Sequence, residues 1–409
     1  MSENVYDVLV RRGYIAQVTD EEGARQLLSR GRVTFYIGFD STASSLHAGS
    51  LVPIMAMMHL QRAGHRPIAL VGGGTTMVGD PSGRTEMRQM LSEEEIRANG
   101  ARIHAQLERY LHFSQGKAIA LDNADWLLPL NYIAFLREIG AHFSVNRMLA
   151  AEAYRQRMER GLSFIEFNYQ LLQAYDYLTL YREYGCTLQM GGDDQWGNIL
   201  AGVDLIRRVE GATVQAMTFP LLTTASGAKM GKSAAGAVWI DGELLRPYDF
   251  YQYWINCDDR DVERFLRMFT FVPLDEIGRL AALEGAEICQ AKQTLAYEAT
   301  RITHGQEAAQ EAQAAAQAVF GSGGDVDAVP TTGVAADHLK EGIALTTIMA
   351  EVGLSRSRGD ARRMVQQGGA YVNGERISDV NYRVSEADLT AEGILLRAGK
   401  KRYHRLVVG

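Results

Sequence analysis

The sequence predicts an α/β protein: a doubly wound parallel sheet, then a helical domain, then a small α+β domain. Three observations carry that prediction. Strand-like and helix-like segments alternate through the first half of the chain, the pattern of a parallel sheet covered by helices on both faces. Helical periodicity then runs without strands from Tyr248 to about Phe320. Finally the charge changes sign: residues Glu341 to Gly409 hold 11 Lys and Arg against 8 Asp and Glu, a net +3 in a chain whose total is -7. At 409 residues the chain exceeds one core, since single cores stop growing at roughly 250–300 residues.

Taken in order, Val33 to Phe39 is rich in β-branched and aromatic residues and is followed by the turn formers Asp40-Ser41-Thr42, then by a helical stretch from Ser50 to Ala63. Pro67 to Val71 is a short apolar strand, and Gly72-Gly73-Gly74 breaks the chain where a parallel sheet presents its carboxyl edge, the edge at which ligands bind. Helical patterns cover Ser92 to His112, Tyr132 to Glu138, Val145 to Arg160 and Phe164 to Tyr184. A strand at Cys186 to Met190, a helix from Gln195 to Val209 and a strand at Thr218 to Leu222 complete the alternation. Thr223 to Gly236 has the polar, glycine-containing composition of a mobile surface loop, and Val238-Trp239-Ile240 resumes extended structure. The boundaries expected are a catalytic domain over 1–240, a helical domain over 241–320, a flexible linker over 321–340 and a basic module over 341–409.

Composition narrows the class. A chain with 46% apolar and 22% charged residues is an ordinary globular one rather than a disordered one. Its longest apolar run, Leu51 to Leu60, is far short of the ~20 residues needed to span a bilayer, so no membrane partner is expected. Met1-Ser2-Glu3-Asn4 lacks the basic patch and apolar core of a secretory signal, which makes the cytoplasm the expected location. Cys186, Cys257 and Cys289 are widely spaced and show no metal-ligand pattern, so they read as buried thiols and no protein-held metal is expected.

Two short segments carry chemistry. Lys229-Met230-Gly231-Lys232-Ser233 sets two ammonium groups and backbone N–H groups around a glycine, a combination suited to a polyphosphate. It is not a P-loop: that pattern needs glycine at 226, which is Ser226, and it must open a helix, whereas Ala234 to Ile240 runs toward a strand. Leu46-His47-Ala48-Gly49-Ser50 lies between the first strand and a helix, where Gly49 admits close approach of a nucleotide and Ser50 is a natural N-cap. Alone, the first is as readily a solvated basic turn and the second a surface histidine.

Together they resemble the KMSKS and HIGH signatures of class I aminoacyl-tRNA synthetases, and the rest of the chain is similar to the bacterial tyrosyl members of that family. Tyr36-Ile37-Gly38-Phe39-Asp40, Leu70 to Gly74 with Gly79-Asp80-Pro81-Ser82-Gly83-Arg84, Phe164 to Asp176, and Gly191 to Asn198 resemble its tyrosine-binding segments. The resemblance implies a tyrosine–tRNA ligase: L-tyrosine and ATP give tyrosyl-adenylate, and the tyrosyl group passes to tRNA(Tyr). A buried phenol needs an acceptor for its proton and a donor to its oxygen, which Asp176 and Tyr36 can supply. By resemblance Tyr169, Gln173 and Asp80 hold the α-ammonium and Gln195 lies near the carboxylate; Tyr169, Gln173 and Asp176 fall on one helix face.

The resemblance further implies that Thr42, His47, Lys229 and Lys232 meet the ATP phosphates, with Arg84 and Arg88 adding positive charge. Gly38, Asp40, Gly192 and Asp194 then frame the ribose and adenine, and Gly49, Ser50 and Ser233 complete the nucleotide site. Mg²⁺ is expected to accompany ATP. Ser50 stands where the second histidine of HIGH is usual, Ser41 where proline is common, and Gly231 where KMSKS has serine. Arg356, Arg358, Arg362, Arg363, Val372-Asn373-Gly374 and Lys400-Lys401-Arg402 resemble a small RNA-binding fold shared with a ribosomal small-subunit protein. A homodimer is expected from the family alone. The competing reading is a noncatalytic RNA-binding protein derived from such a synthetase, which retention of His47, Asp176, Lys229 and Lys232 disfavours. A tryptophanyl enzyme is disfavoured because Tyr36 and Asp176 suit a phenol better than an indole.

Overall fold

The computed structural model describes residues 3–82, 90–159, 161–225, 227, 230–233, 236–320, 330–390, 393–399 and 402–408. The chain divides into two compact units, 1–305 and 306–409. The first is built on a five-stranded parallel sheet: β1 (Thr34–Asp40), β2 (Arg66–Gly72), β3 (Ile119–Asp122), β4 (Cys186–Gly192) and β5 (Gln215–Phe219), in the order β3-β2-β1-β4-β5. Ile68, Ala69, Leu70 and Val71 are all buried, the continuous apolar run of a strand covered on both faces. The winding direction reverses between β1 and β4, and register places Tyr36 beside Ile68 and Gln189, and Asp40 beside Gly72. Crevices at such reversals, outside the carboxyl ends of the strands, are where ligands sit.

Several elements differ from the sequence expectation. Ile119–Asp122 is a strand that the short, mixed run Ile119-Ala120-Leu121-Asp122 did not betray. The last strand is Gln215–Phe219 rather than Thr218 to Leu222, because residues 16–19 bond along it: Ala16 N–H donates to the Thr218 carbonyl at 2.8 Å and Thr19 N–H to that of Ala216 at 3.0 Å. Gly72-Gly73-Gly74 does not break the chain but opens a short helix, Gly73–Val78. A methyl on Gly73 would collide with the Asp122 carboxylate, which accepts the Gly73 N–H at 3.0 Å. The stretch Val145 to Arg160 is two helices, Val145–Leu149 and Glu152–Met158, interrupted by extended backbone at Ala151. Val238 to Ile240 contributes only a bridge, His47 to Trp239, beside a two-residue hairpin of β6 (Lys232–Ser233) and β7 (Gly236–Ala237).

The Phe164–Tyr184 helix has the predicted ends. Ser163 and Glu166 form a capping box, and Gly185 in left-handed conformation (φ 62°) closes it. Helices Pro247–Ile255, Val262–Phe269, Leu274–Ala281 and Ile288–His304 complete this unit. Trp254 anchors them through ring contacts with Phe265 and Phe269 at 5.9 and 4.8 Å. Buried Arg12 donates to the carbonyls of Arg267, Thr270 and Val272 at 3.0, 2.9 and 2.8 Å, gripping the carboxyl end of Val262–Phe269. A guanidinium there meets the negative end of the helix dipole.

The second unit begins with the Gln306–Phe320 helix. A five-stranded sheet follows, in which Thr331–Val334 runs parallel to Arg402–Val408 and the other pairs are antiparallel. Asn373 and Gly374 both have positive φ (49° and 86°), the requirement of a tight two-residue hairpin between Ala370–Val372 and Glu375–Ile377. Helices Leu345–Glu351 and Arg358–Gln366 pack through Leu345, Ile348, Met349, Ala361 and Val365 into its core.

Candidate active site

The site is assembled at the carboxyl edge of the large sheet. Tyr36, on β1, is 2% exposed and its hydroxyl is buried with no hydrogen-bond partner among the described residues. Leaving such a group unpaired costs about 1–3 kcal/mol, so the position calls for a polar atom from outside. Asp176 stands beside it on the Phe164–Tyr184 helix, also 2% exposed. Asn123 Nδ2 donates to its Oδ2 at 2.9 Å and Trp126 Nε1 to its Oδ1 at 2.8 Å. Burial nevertheless pushes this carboxyl up to about 7, with Asp122 adding to the rise and the two donors pulling against it. Burial, with the Asp176 charge second, holds the Tyr36 phenol far above its ordinary value, so it stays a donor.

Asn123 and Trp126 were not legible as site residues. They follow β3, the strand the sequence concealed, and a polar residue at a strand's carboxyl end was the one signal available. Asn123 is itself fixed: its Oδ1 accepts from Gly74 N–H at 2.8 Å and Thr75 N–H at 3.3 Å, and its Nδ2 also donates to Thr75 Oγ1 at 2.9 Å. The first turn of the Gly73–Val78 helix thereby orients the donor that holds Asp176.

Farther along the crevice, Asp80 is 5% exposed and accepts from Ser82 N–H at 2.9 Å and Gln195 Nε2 at 2.6 Å. Burial and the Asp40 charge push its carboxyl up to about 6. Asn198 Nδ2 bridges Gln195 Oε1 and Ser82 Oγ, both at 3.2 Å. Gln173 presents a buried Oε1 with no partner among the described residues, and Tyr169 is buried on the same helix face. Asp80 and Gln195 are thus joined directly, while Tyr169 and Gln173 lie one turn apart on the Phe164–Tyr184 helix.

At the reversal itself, Gly38 and Asp40 lie at the carboxyl end of β1, Gly192 is the last residue of β4 and Asp194 sits in the turn that follows it. Among the described residues other than its chain neighbours, none places a heavy atom within 4 Å of the space a Gly38 side chain would take. Thr42 is exposed. The neighbouring Asp193 is braced, its Oδ1 accepting from Gln17 Nε2 at 2.6 Å and Thr218 Oγ1 at 2.8 Å. His47 Nδ1 accepts the Gly49 N–H at 3.0 Å, which assigns the ring proton to Nε2. Ser50 makes no cap bond to the following helix; its Oγ instead accepts the His47 N–H at 3.5 Å.

The two signature segments meet. Gly231 has φ 81°, and a side chain there would come within 2.5 Å of His47 Nδ1 and 2.7 Å of Gly49 N. Ala48 N–H donates to the Val238 carbonyl at 2.7 Å, and Val238 N–H to that of Gly231 at 2.9 Å. Lys232 and Ser233 are placed by backbone pairing with Ala237 and Gly236. Lys229, Arg84 and Arg88 lie outside the described residues. In the second unit, Thr346, Arg358, Arg362, Asn381 and Arg383 line a cleft of about 520 Å³.

Residues 28–321 match the family of class I tRNA synthetases for tryptophan and tyrosine, and residues 325–406 match the C-terminal domain of tyrosine–tRNA ligases. The chain is 54% identical to a tyrosine–tRNA ligase of Clostridium tetani over all of both chains. It is 55% identical to another from Lachnoclostridium phytofermentans over 99% of both. A C-terminally truncated mitochondrial tyrosyl-tRNA synthetase of Aspergillus nidulans superposes with a TM-score of 0.69 at 30% identity, over 76% of this chain and 93% of that one.

Proposed function

This chain belongs to the tyrosyl branch of the class I aminoacyl-tRNA synthetases and joins tyrosine to tRNA at the expense of ATP, and from that premise we propose how its residues divide the work. Tyr36 donates to the substrate phenol oxygen while Asp176 accepts the phenol proton. Asp80, Tyr169 and Gln173 hold the ammonium, and Gln195 directs the carboxylate toward the α-phosphate of ATP. Gly38, Asp40, Gly192 and Asp194 seat the ribose and adenine. His47, through Nε2–H, and Thr42, Lys229 and Lys232 stabilise the charge that grows on the phosphoryl oxygens and pyrophosphate, assisted by Arg84 and Arg88; Gly49, Ser50 and Ser233 shape the phosphate turn.

The observation that carries this reading is the unpartnered Tyr36 hydroxyl buried beside Asp176, a complement to a phenol and to neither a phenyl ring nor an indole. In-line displacement by a carboxylate needs no enzyme nucleophile; positioning and electrostatics supply the acceleration. The noncatalytic alternative is not favoured: relatives 54% identical over 99% or more of the chain are described as ligases. Mg²⁺ enters as part of the ATP substrate, with phosphate oxygens and water as its ligands; among the described residues no group of three His, Cys, Asp or Glu side chains is placed to hold a metal ion.

The cleft bearing Arg358, Arg362 and Arg383 takes tRNA phosphates by charge and shape. The chain works as a homodimer in the cytoplasm. Support for dimerisation comes from Ile133 and Phe164, each 70% exposed, with Tyr132 at 55%, since solvent-facing aliphatic and aromatic side chains are favoured at subunit contacts. No described helix is long and apolar enough to cross a membrane.

The test separates specificity from activation. Asp176→Ala should raise the tyrosine KM and abolish preference over phenylalanine, whereas Lys232→Ala should slow adenylate formation by about a hundredfold, the scale of one lost transition-state donor, with tyrosine affinity little changed. Equal loss of tyrosine affinity in both variants would contradict the assignment.

A further inference from the structure

The segment that bears Lys229 and Lys232 is gripped from outside the sheet. Its base is closed by Met230 N–H donating to the Leu222 carbonyl at 3.0 Å. Asp261 is 2% exposed and heads the Val262–Phe269 helix, yet its carboxylate makes no cap bond to that helix. It accepts the Ala225 N–H at 2.8 Å instead. Arg264, one turn on, donates through one nitrogen to the Asp261 carboxylate at 2.5 Å and to the Thr223 carbonyl at 2.6 Å. On the neighbouring Pro247–Ile255 helix, the Tyr253 hydroxyl donates to Met230 Sδ at 3.2 Å, and Met230 is buried between the two phosphate-directed lysines in sequence. The far end of Val262–Phe269 is fixed by Arg12, and Tyr14 adds a 2.5 Å bond to the Met268 carbonyl.

A buried carboxylate that caps no amide of its own helix and instead holds a loop amide, with Arg264 bridging it to a loop carbonyl, is a costly arrangement unless the loop's position matters. We propose that Asp261, Arg264 and Tyr253 are positioning residues for adenylate formation: they form a clamp by which the helical region sets the lysine-bearing segment against His47. The proposal rests on the reading of that segment as the phosphate-binding one. None of the three touches substrate. The clamp holds the segment at Thr223, Ala225 and Met230, so its loss costs the step assigned to that segment and spares tyrosine binding. A displacement of about 1 Å in a catalytic group costs up to a hundredfold in rate.

The experiment is tyrosine-dependent exchange of pyrophosphate into ATP on the intact chain, with ATP and tyrosine varied separately. Asp261→Asn and Tyr253→Phe should each lower kcat/KM for ATP about tenfold, with the tyrosine KM within about twofold of wild type. Arg264→Lys, which keeps a donor, should fall less than Arg264→Ala. In a Lys232→Ala background, Asp261→Asn should add less than a further twofold, because the clamp has then lost the group it positions. Tyr253→Phe removes one oxygen from a half-buried ring and so tests the proposal without risk to folding. Wild-type ATP parameters in Asp261→Asn and Tyr253→Phe, equal loss on tyrosine, or full multiplicativity with Lys232→Ala would each overturn the clamp. Lys232→Ala at full rate with Asp261→Asn still impaired for ATP would sink the phosphate reading and leave the clamp standing.

Discussion

Asp176 is charged at a cost. Its carboxyl, pushed up to about 7 by burial, and that of Asp80, pushed up to about 6, both protonate in a range where tyrosine itself does not change charge. Tyrosine affinity should therefore weaken in two steps as pH falls from 8 to 5, the first as Asp176 loses its capacity to accept the phenol proton. In Asp176→Asn the step near 7 should vanish while the one near 6 stays, measured by calorimetric titration. Stability has the opposite sign. Because the folded value lies above the unfolded one, the contribution of Asp176 is greatest below about 4 and is lost as pH rises through about 7. The ligand-free melting temperature should accordingly fall over that interval, and less so in Asp176→Asn. Asn123→Ala should leave Asp176 short of one donor and cost about 1–3 kcal/mol, with a higher tyrosine KM. The sequence exposed Tyr36 and Asp176 through their motif, but not Asn123 and Trp126, whose part depends on where a four-residue strand lies in the sheet.

At the scale of elements, the meeting of the two signature segments depends on the absence of side chains. Gly231 needs both its positive φ and the 2.5 Å clearance to His47 Nδ1. Gly231→Ser, which restores the commoner signature, should be harmful here: left-handed backbone alone costs a side chain roughly 1–2 kcal/mol. The expected result is adenylate formation slowed by about tenfold with tyrosine affinity preserved, read by stopped-flow fluorescence; an unchanged rate would refute the packing argument. Long elements such as Phe164–Tyr184 were legible because caps and periodicity agree along their whole length. Short ones were not. β3 has four residues, and β5 is fixed by pairing with residues 16–19 rather than by local propensity. Likewise Gly73 reads as a chain break until the Asp122 carboxylate that crowds it is known.

For the whole molecule, charge separates the two tasks: the net charge is -7 overall, while the last 69 residues carry +3. A chain ending at Phe320 should form tyrosyl-adenylate within about twofold of the intact rate and charge tRNA at least about tenfold more slowly at moderate salt, since phosphate contacts dominate such affinity. Undiminished charging would remove the case for an RNA role of the basic cleft. Ile133→Asp should shift sedimentation toward monomer.

The central claim is that a phenol is recognised before ATP is attacked, and tyrosine-dependent exchange of labelled pyrophosphate into ATP tests it most directly, with phenylalanine and tryptophan as controls. The account predicts rapid exchange with tyrosine, background exchange with the other two, and loss of that preference in Asp176→Ala. Exchange supported as well by phenylalanine, or a preference for tyrosine that survives Asp176→Ala, would contradict it.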